Sequence, residues 1–182
     1  KEKKPASGFW AFTLVLLALA LSGYGMREAL RVPPVREVRM QVPGLPDALN
    51  GFRIAQLSDL HIGPTFGKAW LTDVVARTDS LNPDLIVITG DVVDGSPSRL
   101  EEDVAPLADL KAKYGVIFAP GNHEYYSGIQ QWLPVFQRLG MHVLMNENTQ
   151  IRVNGTPLAI AGVTDTAALN WGLEGPDPEK AL

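Results

Sequence analysis

Phe52-Arg53-Ile54-Ala55-Gln56-Leu57-Ser58-Asp59-Leu60-His61-Ile62-Gly63-Pro64 is the stretch whose reading decides the fold. The apolar residues of 52–57 suit a buried strand, and Gly63-Pro64 cannot continue one, so a carboxylate and an imidazole stand where a strand ends. Side chains two apart face the same way along a strand, which predicts that Asp59 and His61 reach one cation together. Alone, an Asp-x-His triplet is a common accident of polar loops. Here the pattern recurs twice. Asp84-Leu85-Ile86-Val87-Ile88-Thr89 reads as a second buried strand running into Gly90-Asp91-Val92-Val93-Asp94-Gly95. Gly115-Val116-Ile117-Phe118-Ala119 reads as a third, running into Pro120-Gly121-Asn122-His123-Glu124. Intervals of roughly thirty residues fit one strand-helix-strand unit each. Parallel strands joined this way put their C-terminal ends on one edge, where open α/β sheets bind ligands. Gly90 and Gly121 precede an acid and an amide, where a missing Cβ permits a sharp turn and close approach of backbone to an ion.

Apolar spacing predicts amphipathic helices over 69–81, 100–113 and 130–139, the third despite Pro134. In the second, Ser98 is the expected N-cap, and Glu101, Glu102 and Asp103 are expected to complement the positive end of the helix dipole. The alternation in Val35-Arg36-Glu37-Val38-Arg39-Met40-Gln41-Val42 predicts a half-exposed strand at a sheet edge. Further short strands are expected over 141–144, 150–153 and 158–161, with Asn154-Gly155 turning between the last two. His142 reads as a structural strand residue and Trp171 as a loop anchor, while Asp165 receives no role. Tyr125 and Tyr126 fit either a substrate pocket or the packing of the following helix.

With 182 residues and a net charge of -4, the chain is long enough for one domain with a real core and shows no basic patch for a nucleic acid. It has no cysteine, which rules out a thiol nucleophile and thiolate ligands and leaves the compartment undecided. Residues 5–26 carry no charge, and Phe9, Trp10, Phe12 and Tyr24 place aromatic rings towards both ends of that run. Roughly 20 apolar residues span a bilayer as a helix. The rival is a signal peptide, with Lys1, Lys3 and Lys4 before the run and Ala18-Leu19-Ala20 as a cleavage site. The membrane helix is favoured because the apolar run continues past that site. The expected division is a membrane helix with its linker over 1–34 and one domain over 35–182. Lys and Arg flank the run on both sides, so they leave orientation nearly open, and an extracytoplasmic domain is the expected placement.

Asp-x-His, Gly-Asp-x-x-Asp and Gly-Asn-His-Glu, in this order, resemble the calcineurin-like metallophosphoesterase family over residues 35–165. Gln56-Leu57-Ser58-Asp59-Leu60-His61-Ile62-Gly63 and Gly121-Asn122-His123-Glu124-Tyr125-Tyr126 are similar to its membrane-associated bacterial, phosphodiesterase-like branch. The resemblance implies an α/β fold, a four-layer αββα sandwich of two sheets with helices outside. It implies that Asp59 and His61 hold one metal, that Asp91 bridges two, and that Asn122 holds the second. His123 would then face the substrate phosphate, oriented by Asp94. The function so implied is a membrane-attached, dinuclear-metal phosphoesterase that hydrolyses phosphodiesters, and by extension monoesters, through a metal-activated hydroxide. The same assignment is sensible chemistry on its own. Oxygen and imidazole donors suit manganese, iron, zinc or cobalt, and one carboxylate has two oxygens with which to bridge. Two such ions roughly 3.5–4 Å apart can activate water and neutralise phosphoryl oxygens.

One departure from the family is a later histidine and a Gly-His-x-His motif, neither of which stands before Leu182. By the resemblance, the first metal keeps Asp59, His61 and Asp91, and the second keeps Asp91 and Asn122. The 182 residues therefore read as a piece lacking the C-terminal part, expected to bind metal weakly and to be inactive alone. The expected partners are a phosphoester, in one version lipid-linked, and a membrane. Two alternatives stay open: a nucleotide-lipid pyrophosphatase, against which His123 speaks because that branch has arginine there, and a non-catalytic member acting as a binding or scaffold protein.

Overall fold

Four short strands carry the apolar runs: β1 (Ile54–Leu57), β2 (Leu85–Ile88), β3 (Val116–Phe118) and β4 (Met141–Val143). They lie side by side in that order, all parallel, in a computed structural model that describes residues 7–182. The register pairs Leu57 with Ile88 and Ile88 with Phe118, so the three motif-bearing strands end level with one another. Helices α2 (Lys68–Ser80), α3 (Pro97–Val104) and α5 (Ile129–Arg138) make the connections.

The two central strands, β2 and β3, are buried on both faces, as strands of parallel sheets are. On one face Phe118 of β3 meets Phe136 of α5 with ring centroids 4.5 Å apart, and Trp132 stacks on Phe136 at 5.3 Å. On another front Leu85, Ile117 and Leu144 form a cluster against which Phe52, Val87, Tyr114 and Ile160 lie. Ile160 belongs to a second, two-stranded antiparallel sheet of β5 (Glu147–Val153) and β6 (Thr156–Gly162). Its turn is Asn154-Gly155, with φ of 49° and 87°, the two left-handed residues that a two-residue hairpin demands.

Several expectations need correction. The stretch 35–42 forms no strand: among the described residues no strand pairs with it, and alternation without a partner's hydrogen bonds does not make a ladder. The sheet edges are β1 and β4, and β1 is half-exposed rather than buried, with Ile54 at 52% exposure. The helix expected over 100–113 stops at Val104 and continues as a 3-10 helix, Ala105–Asp109, because Pro106 lacks an N–H and its ring blocks further α-helix. It begins three residues earlier as well, at Pro97. Ser96, not Ser98, sits at the N-cap, and Pro97 takes the first helical position that proline favours. Glu101, Glu102 and Asp103 therefore fall in the second half of α3, where they do not complement its dipole. Asp103 instead accepts a hydrogen bond from the Lys68 N–H at 3.1 Å, and Glu101 pairs with Arg138 at 2.6 Å.

The chain divides between Val35 and Arg36 into two units. The first holds α1 (Ser7–Ala29), in which Gly8–Ala29 has a mean hydropathy of 1.8 and no buried residue. Twenty-two residues at 1.5 Å each give roughly 33 Å, long enough and apolar enough to cross a membrane. Lys1, Lys3 and Lys4 lie outside the described residues.

Candidate functional site

Beyond the strand ends the backbone continues to pair. The Asp59 N–H donates to the Gly90 carbonyl at 3.2 Å, His61 to Asp91 at 3.0 Å, Ile62 to Val92 at 2.8 Å, and Asp94 to Ile62 at 2.9 Å. Ile62 and Val93 form an isolated parallel bridge. Two loops are thus stitched together, and what they present is unusual backbone: Asp59, His61 and Asp91 have φ of 55°, 45° and 54°. Left-handed conformation costs a non-glycine residue roughly 1–2 kcal/mol, least for Asp, Asn and His. Strain gathered on three donors in one cleft fits a functional site. It also corrects the reason for expecting Asp59 and His61 together. They do not alternate along a strand; left-handed turns bring His61 Nε2 to 3.9 Å from Asp59 Oδ1.

The third loop closes on the second through two glycines. A Cβ on Gly90, whose φ is 79°, would overlap the Gly121 backbone, and a Cβ on Gly121 would overlap the Asp91 carboxylate. Asn122 then opens a short helix, α4 (Asn122–Tyr126), that reads from the sequence only as a loop. Its amide lies against Asp91. With its nitrogen turned to the carboxylate, the orientation that hydrogen-bond complementarity selects, it donates to Oδ1 and Oδ2 at 3.2 and 3.1 Å. The His123 N–H donates to Asp91 Oδ1 at 2.9 Å.

Asp94 Oδ1 is shared by two imidazoles, His61 Nδ1 at 3.0 Å and His123 Nδ1 at 2.6 Å. The two rings meet edge to face, with centroids 4.5 Å apart. Burial works against a proton on His61, but its hydrogen bond to Asp94 and the charges of Asp94, Asp91 and Asp59 outweigh it and hold its pKa above the ordinary value. Burial likewise pushes Asp94 up, yet the hydrogen bonds from His61 and His123 win and hold its carboxyl below the usual range. Ser127 Oγ fixes the same loop, accepting from Gly95 N–H and donating to the Val93 carbonyl, both at 3.1 Å. Trp132 Nε1 donates to the Gly95 carbonyl at 2.9 Å.

The structure therefore places Asp59, His61, Asp91, Asp94, Asn122 and His123 in one cleft. Asp59, His61 and Asp91 offer one ligand atom each within 4.8 Å of one another, and so do His61, Asp94 and His123. Metal-donor bonds of roughly 2.0–2.2 Å require ligand atoms only a few ångströms apart, so the first group fits a cation. In the second, Asp94 Oδ1 is already engaged by both rings.

Sequence reasoning missed Glu124. Its side chain is fully buried, and its carboxylate accepts from three backbone N–H groups: Asp91 at 2.9 Å, Val92 at 2.7 Å and Gly121 at 2.8 Å. Burial raises its pKa, opposed by those three donors. An acid three residues after a turn glycine is a helix-start signal and was there to be found. The two tyrosines divide the roles left open for them. Tyr125 is buried with Ile129, Ala167 and Ala168, whereas Tyr126 is 57% exposed with its ring 5.6 Å from that of His123. A cavity of about 310 Å³ beside Asn122 is lined by Tyr126, Asp165, Thr166, Ala167 and Asn170. Asp165 also caps the 3-10 helix Thr166–Trp171, accepting from Ala167 N–H at 2.7 Å. Trp171 is 55% exposed at the end of that helix, so it anchors nothing. His142 lies exposed on β4.

The calcineurin-like phosphoesterase family matches residues 52–172, the span that holds every residue of the cleft. A zebrafish (Danio rerio) protein named transmembrane protein with metallophosphoesterase domain is 37% identical over 189 residues, covering 100% of this chain and 43% of its own length. Its namesake in cattle (Bos taurus) is 37% identical, covering 92% of this chain and 40% of its own. An uncharacterized metallophosphoesterase of Campylobacter jejuni is 32% identical, covering 91% and 42%. The chain spans about two fifths of the length of these relatives. No solved structure matches it.

Proposed function

Since the chain belongs to the calcineurin-like phosphoesterase family, we propose that it carries part of the site of a membrane-attached phosphodiesterase that works with two divalent cations. Asp59, His61 and Asp91 would hold one cation, and Asp91 with Asn122 would share the second. Cations held there would supply Lewis acidity to water and neutralise phosphoryl charge. The observation that carries the reading is the convergence of Asp59, His61 and Asp91, each in left-handed backbone, on atoms within 4.8 Å.

His123 stands beside those donors. Its Nδ1 is bonded to Asp94, which fixes the ring and leaves Nε2 to hydrogen-bond a phosphoryl oxygen or to give a proton to the departing alcohol. The cavity beside Asn122 would receive the alcohol group of the diester. Leu169 and Trp171, exposed at 64% and 55% on the 3-10 helix whose Thr166, Ala167 and Asn170 line that cavity, support an apolar, lipid-linked substituent. Helix α1 supports membrane attachment, with residues 1–34 as anchor and linker and 35–182 as the phosphoesterase domain.

The test compares this chain with a version extended to the length of its relatives, assaying Mn2+-dependent hydrolysis of bis(4-nitrophenyl) phosphate. The extended protein is expected to turn over and to lose activity in chelator. Turnover unaffected by chelator, or none under any divalent cation, would sink the reading.

A further inference from the structure

The cleft is made of loops from different strands, and one buried side chain joins two of them. Glu124 Oε2 accepts from the Asp91 N–H in the β2 loop and from the Gly121 N–H in the β3 loop, while Oε1 accepts from Val92. Its relative exposure is 0%, and no cationic side chain pairs with it among the hydrogen bonds of the described residues. Three charge-assisted bonds from backbone are what keep such a carboxylate in place. The glycines leave no slack, since a Cβ on either would collide with the other loop.

We propose that Glu124 is a positioning residue that sets Asp91 against Asn122, and through them the spacing of the donors for the second cation. This deepens the cation reading above and rests on it. The geometry is specific. One carboxylate oxygen holds the backbone of Asp91 and the residue before Asn122 at the same point, so the two donor side chains start from a common pivot. A glutamine there would turn an N–H₂ towards one set of N–H donors and lose at least one of the three bonds.

Mn2+ is titrated by calorimetry into this chain, into Glu124→Gln and into Val104→Ala, at a temperature below each thermal midpoint. Val104 is fully buried on α3, so its truncation lowers stability without touching a donor. The expected result is Mn2+ affinity about 10–100-fold weaker in Glu124→Gln, with Val104→Ala binding like the parent. Equal affinity in the parent and Glu124→Gln, or equal weakening in both variants, overturns the positioning role and leaves the cation reading standing. If neither the parent nor the version extended to the length of its relatives binds Mn2+, the cation reading fails instead. Resonances of the metal-free chain then decide Glu124. The Asn122 side-chain amide and the His123 backbone amide, both against Asp91, shift in Glu124→Gln and hold in Val104→Ala; unmoved resonances overturn the role. Should Glu124→Gln not fold, Glu124→Asp, which keeps the charge on a shorter arm, goes through the same measurements.

Discussion

One carboxylate oxygen at Asp94 serves two imidazoles, and this changes what its removal should do. Seen from the sequence, Asp94 orients His123 alone, so its loss is expected to be milder than that of His123. With His61 on the same oxygen at 3.0 Å, Asp94→Asn should loosen a proposed cation donor as well, lowering Mn2+ affinity together with turnover in the extended protein. His123→Ala should instead cut turnover roughly 10²–10⁴-fold with metal content kept, as metal analysis beside the esterase assay would reveal. The metal-free chain has its own signature. His61 is raised, so its contribution to stability is complete below the ordinary imidazole value and is lost as pH rises through the higher one. Asp94 is lowered, so its contribution is complete above the ordinary carboxylate value and is lost as pH falls through the lower one. Thermal midpoints should therefore be highest between the two, at mildly acidic pH, and Asp94→Asn should flatten that profile. At this scale the donor types were legible and their backbone was not. Asp59 and His61 were reached through strand alternation, which the left-handed φ values replace.

At the scale of elements, Gly90 and Gly115 offer a controlled comparison. Both have positive φ, 79° and 87°, but a Cβ on Gly115 meets nothing within 4 Å while one on Gly90 meets the Gly121 backbone. Gly115→Ala should lose about 1–2 kcal/mol, a fall of a few degrees in thermal midpoint. Gly90→Ala should fall at least twice as far, or fail to fold, because backbone cannot swing aside as a side chain does. Equal midpoints would show that the β2 and β3 loops are not in close contact. Element existence was legible wherever an apolar period met a clear stop, as at Asn82-Pro83 after α2. It failed where the stop lay inside the pattern, as Pro106 does, or where a period lacked a partner, as in 35–42.

For the whole molecule, roughly thirty-residue spacing sufficed to foresee parallel strands with their C-terminal ends on a common edge, while the order β1-β2-β3-β4 is read from the structure. The local helix-start signal at Glu124 was legible, but the same spacing could not foresee its partners in the second loop, backbone groups far apart from it in sequence. If α1 is an anchor, the chain should stay with membranes through high salt and carbonate, and a version starting at Arg36 should not. Protease accessibility in intact cells then reads the side on which the domain lies. Release of a shortened protein beginning near Leu21 would favour the signal peptide.

The stitched loops carry a consequence for exchange with solvent. Amides of residues outside regular strands usually trade their protons quickly, but those of His61, Ile62 and Asp94 donate across from one loop to the other at 2.8–3.0 Å. Their protons should leave at rates close to those of the β1 and β2 amides, because the loops can part only if the strands beneath them part too. The cleft and the sheet would then open as one cooperative unit, and a cation would enter or leave by side-chain rotation over a backbone that does not breathe.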